Sequence, residues 1–289
     1  MTPYAEVIGD PIAHSKSPLI HGFWLKALGI DAEYRATHVT PEGLADYFDA
    51  RRADPAWRGT NITIPHKQAA LDHVEDRGDV RGTIGAINTV VRAEDGALVG
   101  TNTDAGGFYA PIAGLDLEGR HAVVIGAGGG ARAILFALSR IGIGRVTILN
   151  RNVLKAAALL SSFGIKGDAV PLGSPLPPAD LLVNASALGM GGQPPLDLDL
   201  APLPEDAVVY DIVYTPLETP LLAQARAREL DTVDGLDMRA APAPMPSSTA
   251  SRSVSITKRR ASRSPASSPL PTSSSIAPSR AGSPSRSAR

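Results

Sequence analysis

One stretch of this chain leaves little choice of architecture. His121-Ala122-Val123-Val124-Ile125 is an apolar run of strand length that passes at once into Gly126-Ala127-Gly128-Gly129-Gly130-Ala131 and then into an apolar helical pattern ending near Arg140. Arg145 to Leu149 reads as the next strand and Val153 to Phe163 as the next helix; Leu181 to Asn184 and Val208 to Asp211 read as further buried strands. A βαβ order with glycines at its first turn is what a dinucleotide-binding unit requires. Gly126 permits the tight turn, Gly128 lets the backbone approach a pyrophosphate, and the small Ala131 allows close packing of helix on strand. Phosphates would meet the free N–H groups and positive end of the helix that starts there. Gly126, Ala127, Gly128, Gly129 and Gly130 are therefore candidate cofactor contacts. A glycine-rich loop without a ligand is the competing reading, and the position directly after an apolar strand argues against it.

The end of the following strand separates two cofactors. NAD sites usually place a carboxylate there to accept hydrogen bonds from the ribose hydroxyls. This chain has Asn150-Arg151-Asn152, with Lys155 one turn on. A carboxylate would repel a 2′-phosphate, whereas a guanidinium bonds it through paired, charge-assisted contacts. The pattern favours NADP, although a solvated arginine at a strand end is the plainer alternative.

Upstream, strands and helices also alternate, which predicts an α/β protein with a largely parallel sheet. Tyr4–Gly9, Tyr34–Val39 and Gly59–Ile64 read as strands; Pro18–Leu28, Pro41–Ala50 (with Thr40 as N-cap) and His66–Glu75 read as helices. Ala86–Arg92 and Ala97–Gly100 flank Glu94-Asp95-Gly96 as a hairpin. The polar residues at element ends are the candidate site, because loops at such ends carry function. Ser15 and Ser17 flank Lys16 before a helix start, where two hydroxyls could hold a carboxylate or simply cap the helix. Thr63 and Lys67 lie where a strand gives way to a helix, Asn88 within Gly85-Ala86-Ile87-Asn88-Thr89, and Asp104 within Gly100-Thr101-Asn102-Thr103-Asp104.

Taken together, these strings resemble the NADP-dependent shikimate dehydrogenase family in order and spacing. Gly9-Asp10-Pro11 through Ser17-Pro18, Asn61 through Lys67, Gly85 through Thr89, Asn102-Thr103-Asp104, the glycine loop, Asn150-Arg151, Asn184-Ala185-Ser186, Tyr210-Asp211 through Tyr214 and Asp234-Gly235-Leu236 all carry the resemblance. It implies reversible reduction of 3-dehydroshikimate to shikimate with NADP. It also implies a substrate-binding domain at 1–104 and a Rossmann-type NADP-binding domain at 105–238, with a groove between them. By the same resemblance, Lys67 would be the acid/base and Asp104 its partner. Ser15 and Ser17 would hold the substrate carboxylate, and Thr63, Asn88, Asp104 and Tyr214 would contact the other polar groups. Asp79, Ile212 and Gly235 would stand near the nicotinamide end, and Asn152 replaces a more usual Thr. A quinate or quinate/shikimate dehydrogenase is an alternative, as is a C-terminally damaged NADP-binding relative with weak turnover or none.

After Met238 the resemblance stops. Residues 239–289 hold nine of the chain's 28 Lys and Arg and none of its 29 Asp and Glu, leaving 19 basic against 29 acidic residues, a net of −10, in residues 1–238. This Ser/Pro/Arg-rich tail has no aromatic residue and reads as disordered, since it cannot bury enough apolar surface to offset chain entropy. The abrupt change suggests a shifted reading frame. The family instead continues there with an apolar helix carrying a substrate-binding glutamine and a closing helix, so poor stability and weak activity are expected of the chain as written. A nucleic-acid partner is disfavoured: the tail offers no base-stacking aromatics and the acidic body repels phosphate. The chain has no cysteine, which removes disulfides, thiolate metal sites and cysteine nucleophiles, and no metal is expected. No signal peptide and no apolar run of about 20 residues is visible, so no membrane partner is expected. A cytoplasmic enzyme acting on a small molecule, compatible with a homodimer, is the expectation.

Overall fold

The computed structural model describes residues 1–240 except His14; the disordered tail expected at 239–289 lies, from residue 241, outside the described residues. The first half builds a sheet from β1 (Tyr4–Gly9), β2 (Glu33–His38), β3 (Trp57–Ile62), β4 (Thr89–Arg92) and β5 (Leu98–Thr101), in spatial order β2-β1-β3-β4-β5. β1, β2 and β3 run parallel; β4 and β5 are antiparallel and close the sheet as a hairpin. Helices α1 (Ser17–Ala27), α2 (Leu44–Ala53) and the short α3 (Val80–Thr83) connect the strands.

Two local expectations are corrected. Helix α2 starts at Leu44, not Pro41, because Thr40 to Gly43 closes a turn first: the Gly43 N–H donates to Thr40 O at 3.1 Å and to Thr40 Oγ1 at 3.3 Å. The helix expected over His66–Glu75 shrinks to a 3₁₀ turn at Ala69–His73. Glu75 is drawn out to the sheet edge, its N–H donating to Leu98 O at 2.8 Å and its carbonyl accepting from the Gly100 N–H at 2.9 Å. Sheet pairing outweighs a modest helical preference there.

The second half follows with α4 (Asp104–Ile112), β6 (His121–Ile125), α5 (Gly129–Ile141), β7 (Arg145–Asn150), α6 (Val153–Ser162), β8 (Gly167–Pro171), β9 (Leu181–Asn184), β10 (Val208–Asp211), α7 (Pro220–Ala227), β11 (Asp231–Val233) and α8 (Asp237–Ala240). All six strands are parallel, in order β11-β10-β9-β6-β7-β8. The order reverses between β6 and β9, and ligands of open parallel sheets bind in the crevice at such a switch point. β6, β9 and β10 are buried nearly throughout, as fully covered parallel strands must be.

Helices α4 and α5 serve both halves. Ala105 of α4 and Ala133 of α5 belong to the core over the first sheet, while Phe108, Ile112, Ile134, Leu135 and Leu138 of the same helices belong to the core of the second. At the other side of the first sheet, α1 leaves Leu19, Phe23 and Trp24 more than half exposed. In the core beneath α2, the fully buried Glu6 carboxylate accepts from Arg51 Nε at 2.6 Å, Tyr47 Oη at 2.8 Å, Trp57 Nε1 at 2.9 Å and the Thr37 hydroxyl. Burial alone raises that carboxyl's pKa, but the bonds from Arg51, Thr37 and Tyr47 outweigh it and hold the group below its ordinary value.

Candidate active site

The glycine loop sits at the carboxyl end of β6, at the switch point. Gly126 takes φ +103°, and a Cβ there would lie 3.2 Å from both Ala185 O and Ser186 Cβ, so the turn admits only glycine without strain. Gly128 is extended and exposed, and a Cβ on it would meet nothing within 4 Å. That open backbone at the start of α5 is a fitting cradle for a pyrophosphate. Ala127 is buried, and Gly130 faces Ile212, whose Cδ1 would be 3.2 Å from an added Cβ. Gly235 packs on the backbone of the same Ile212, with Ile212 O 2.5 Å from the place of a Cβ. The three therefore form one cluster. Next to Ile212 in sequence, the buried Asp211 accepts from Asn184 Nδ2 at 2.9 Å, the Val213 N–H at 3.0 Å and Thr219 Oγ1 at 2.7 Å. Burial pushes the Asp211 carboxyl above its ordinary range despite those three bonds.

At the end of β7, Asn150 Nδ2 donates to Asn152 O at 2.8 Å, and Asn152 Oδ1 accepts from the Lys155 N–H at 2.9 Å as the N-cap of α6. Arg151 and Lys155 are exposed, and neither is ion-paired among the described residues. Two exposed cations that form no ion pair among the described residues suit a 2′-phosphate. Asp79 stands in a turn of its own, left-handed at φ 51° before α3, its carboxylate lying over Gly82.

The polar residues of the first half meet around Asp104. Lys67 Nζ donates to Asp104 Oδ2 at 2.5 Å, and Asn88 Nδ2 donates to Asp104 Oδ1 at 2.7 Å. The Lys67 and Asp104 side chains are 18% and 15% exposed, low enough for a strong pair yet open to a ligand. Lys67 follows β3 on a loop held by buried His66, whose Nε2 lies 2.6 Å from Val39 O, and by the Ile87 N–H, which donates to Lys67 O at 2.7 Å. Asp104 opens α4, its N–H donating to Asn102 Oδ1 at 2.9 Å. The aliphatic stem of Lys67 packs on α5: a Cβ at Gly129 would lie 2.9 Å from Lys67 Cβ and 3.1 Å from Cδ. The candidate acid/base thus touches the first residue of the helix that would carry the cofactor phosphates.

Ser17 is buried at the start of α1, and Ser15 Oγ accepts the Ser17 N–H at 3.3 Å. Thr63 closes the β3 end, its N–H donating to Ile8 O at 3.0 Å. Tyr214 is partly buried in the loop after β10. Sequence reasoning missed four residues that extend the cluster. Asn88 Oδ1 accepts from the Thr103 N–H at 2.9 Å and from Thr89 Oγ1 at 3.1 Å; Asn61 Nδ2 donates to Thr89 Oγ1 at 3.1 Å; and Tyr34 Oη donates to Asn61 Oδ1 at 2.5 Å. Asn61, Thr89 and Thr103 stand inside the quoted strings, but only the strand register shows that they join; Tyr34 gave no signal.

The chain is similar to known proteins in both of its halves. Residues 7–90 match the family described as shikimate dehydrogenase substrate binding domain, and residues 110–186 that described as shikimate / quinate 5-dehydrogenase. A shikimate dehydrogenase (NADP(+)) of Sphingopyxis alaskensis is 67% identical over 237 residues, covering 82% of this chain and 86% of the relative. The crystal structure of a shikimate 5-dehydrogenase from Thermus thermophilus, in complex with NADP(H) and shikimate, is similar at TM-score 0.72 and 39% identity, covering 83% of this chain and 89% of that one. A ligand-free 5-ketofructose reductase of a Gluconobacter species is similar at TM-score 0.72 and 32% identity, covering 83% of this chain and 89% of that one.

Proposed function

Because this chain belongs to the shikimate dehydrogenase family, we infer that it is an oxidoreductase that catalyses the NADP-dependent, reversible reduction of 3-dehydroshikimate to shikimate, a step toward chorismate and the aromatic amino acids. The observation that carries the reading is the contact of Lys67 with both Asp104 and Gly129, which sets an acid/base group against the glycine loop.

The residues divide the work as follows. The loop from Gly126 into the start of α5 at Gly130 would hold the pyrophosphate, and Arg151 with Lys155 the 2′-phosphate. Bound NADP supplies the hydride acceptor for the alcohol and, when reduced, the donor for the ketone. Lys67 takes the hydroxyl proton as the alcohol is oxidised and returns it to the carbonyl oxygen in reduction, its ammonium meeting the negative charge that develops there. Asp104 fixes the Lys67 nitrogen through one carboxylate oxygen while Asn88 fixes the other oxygen, so the nitrogen is aimed before substrate arrives. Ser15 and Ser17 would anchor the substrate carboxylate, and Thr63, Asn88 and Tyr214 its remaining polar groups. Ile212 and Gly235 would border the nicotinamide, with Asp79 at the rim.

The test follows the near-ultraviolet absorbance of reduced nicotinamide with shikimate and NADP or NAD, alongside Lys67→Ala. Reduction of NADP that the variant loses while still binding NADP supports the reading. NADP binding without any shikimate-dependent reduction in the wild-type chain sinks it. Quinate is the second substrate, since the matched family includes quinate 5-dehydrogenases; equal turnover of both would widen the assignment. Light scattering on the eluted protein tests the homodimer, and cell fractionation the cytoplasmic location.

A further inference from the structure

We propose that Tyr34 is a positioning residue for this reaction, its hydroxyl setting, through Asn61 and Thr89, the orientation of the Asn88 carboxamide that holds Asp104. The proposal rests on the function inferred above. A carboxamide has two ends of nearly equal size, and its partners decide which end faces where. Tyr34 Oη donates to Asn61 Oδ1 at 2.5 Å, which turns the Asn61 NH₂ toward β4 and Thr89 Oγ1 at 3.1 Å. With its oxygen accepting there, the Thr89 hydroxyl sends its own proton to Asn88 Oδ1 at 3.1 Å. That oxygen also accepts from the Thr103 N–H at 2.9 Å and from Thr103 Oγ1 at 3.2 Å, and the Asn88 NH₂ donates to Asp104 Oδ1 at 2.7 Å and lies 2.9 Å from Thr103 Oγ1. Were Asn61 reversed, Thr89 would donate to it instead, and Asn88 would lose one of the donors that define its orientation.

The sheet makes this reach possible. Tyr34 pairs with Ala5, Asn61 with Val7 and Asn61 with Thr89, so all three polar residues share one face of four adjacent strands. The small Ala5 lets the Tyr34 ring lie across β1 to the strand beyond. His21 of α1 stacks on that ring at 4.1 Å and 17°, holding the phenol in place.

Tyr34→Phe removes one oxygen and keeps the stacked ring. Loss of a single well-placed hydrogen bond predicts a rise of about tenfold in KM and calorimetric Kd for shikimate. NADP affinity stays unchanged, and Tm moves by no more than about 4 °C. In an Asn61→Ala background the same substitution has no further effect, because the pair is coupled through one amide. An unchanged KM in an active enzyme, an effect undiminished in the Asn61→Ala background, or a lowered Tm with KM and kcat intact each overturns the proposal alone. A wild-type chain that neither binds nor oxidises shikimate overturns the function inferred above and this proposal with it.

Discussion

Gly128→Ala separates folding from cofactor binding. Gly128 lies at φ −91° and ψ −168°, a conformation open to any L residue, and its Cβ would meet nothing within 4 Å. Folding should therefore tolerate the change, and loss of unfolded-state entropy should stabilise by about 0.4–1 kcal/mol, a rise of roughly 1–4 °C in Tm for a chain of this size. Binding should suffer, since the new methyl would occupy the open space at Gly128 through which, on the proposed placement, a pyrophosphate reaches the N–H groups of α5. Displacing the phosphates by even about 1 Å removes a charge-assisted bond of roughly 1.5–3 kcal/mol, so Kd for NADP should rise about 10- to 100-fold. Calorimetric titration with NADP, beside thermal melts with and without cofactor, reads both effects. An NADP Kd within about twofold of wild type would refute the placement of the pyrophosphate. A melt that collapses would refute the open geometry at this glycine.

Arg151→Ala should weaken NADP by about 10- to 100-fold, the loss of a charge-assisted contact, and leave NAD unaffected; parallel titrations with the two cofactors decide it. Glu6→Leu should cost about 3–5 kcal/mol, since it strands the Arg51 guanidinium in a partly buried site, and urea unfolding measures the loss. The Glu6 carboxyl is held below its unfolded value. Its contribution is thus complete above that unfolded value, 4.5, and disappears as pH falls through the folded value; Glu6→Leu should flatten this acid limb of the stability profile. The Tyr210 hydroxyl is buried with no hydrogen-bond partner among the described residues. Tyr210→Phe should accordingly stabilise by about 1 kcal/mol, seen as a small rise in Tm.

The elements that the sequence reveals best are those whose side chains have a single destination. β6, β9 and β10 begin and end at the residues expected, because apolar runs covered on both faces leave no ambiguity of period. β8 and β11 were not foreseen; they are edge strands, exposed along part of their length, with no alternation to betray them. α4 contains Gly106, Gly107 and Pro111, a poor helical sequence, and it forms because tertiary contacts favour it: a Cβ at Gly107 would fall 2.4 Å from Met238 O. At the site, Lys67, Asn88 and Asp104 stood out because charged and amide groups at element ends are conspicuous. The Tyr34–Asn61–Thr89 chain did not, since it exists only once the register of four strands is known.

The sharing of α4 and α5 between the two cores has a thermodynamic consequence. A helix with Ala133 in one core and Ile134 in the other cannot melt with one sheet and stay folded with its neighbour. The two sheets should then lose structure in a single cooperative transition, and limited proteolysis should release no stable half. Free energy gained if a ligand settles on the first turn of α5 would be felt equally by the sheet whose β3 leads into the Lys67 loop, so bound NADP should stabilise both halves of the fold through mass action alone.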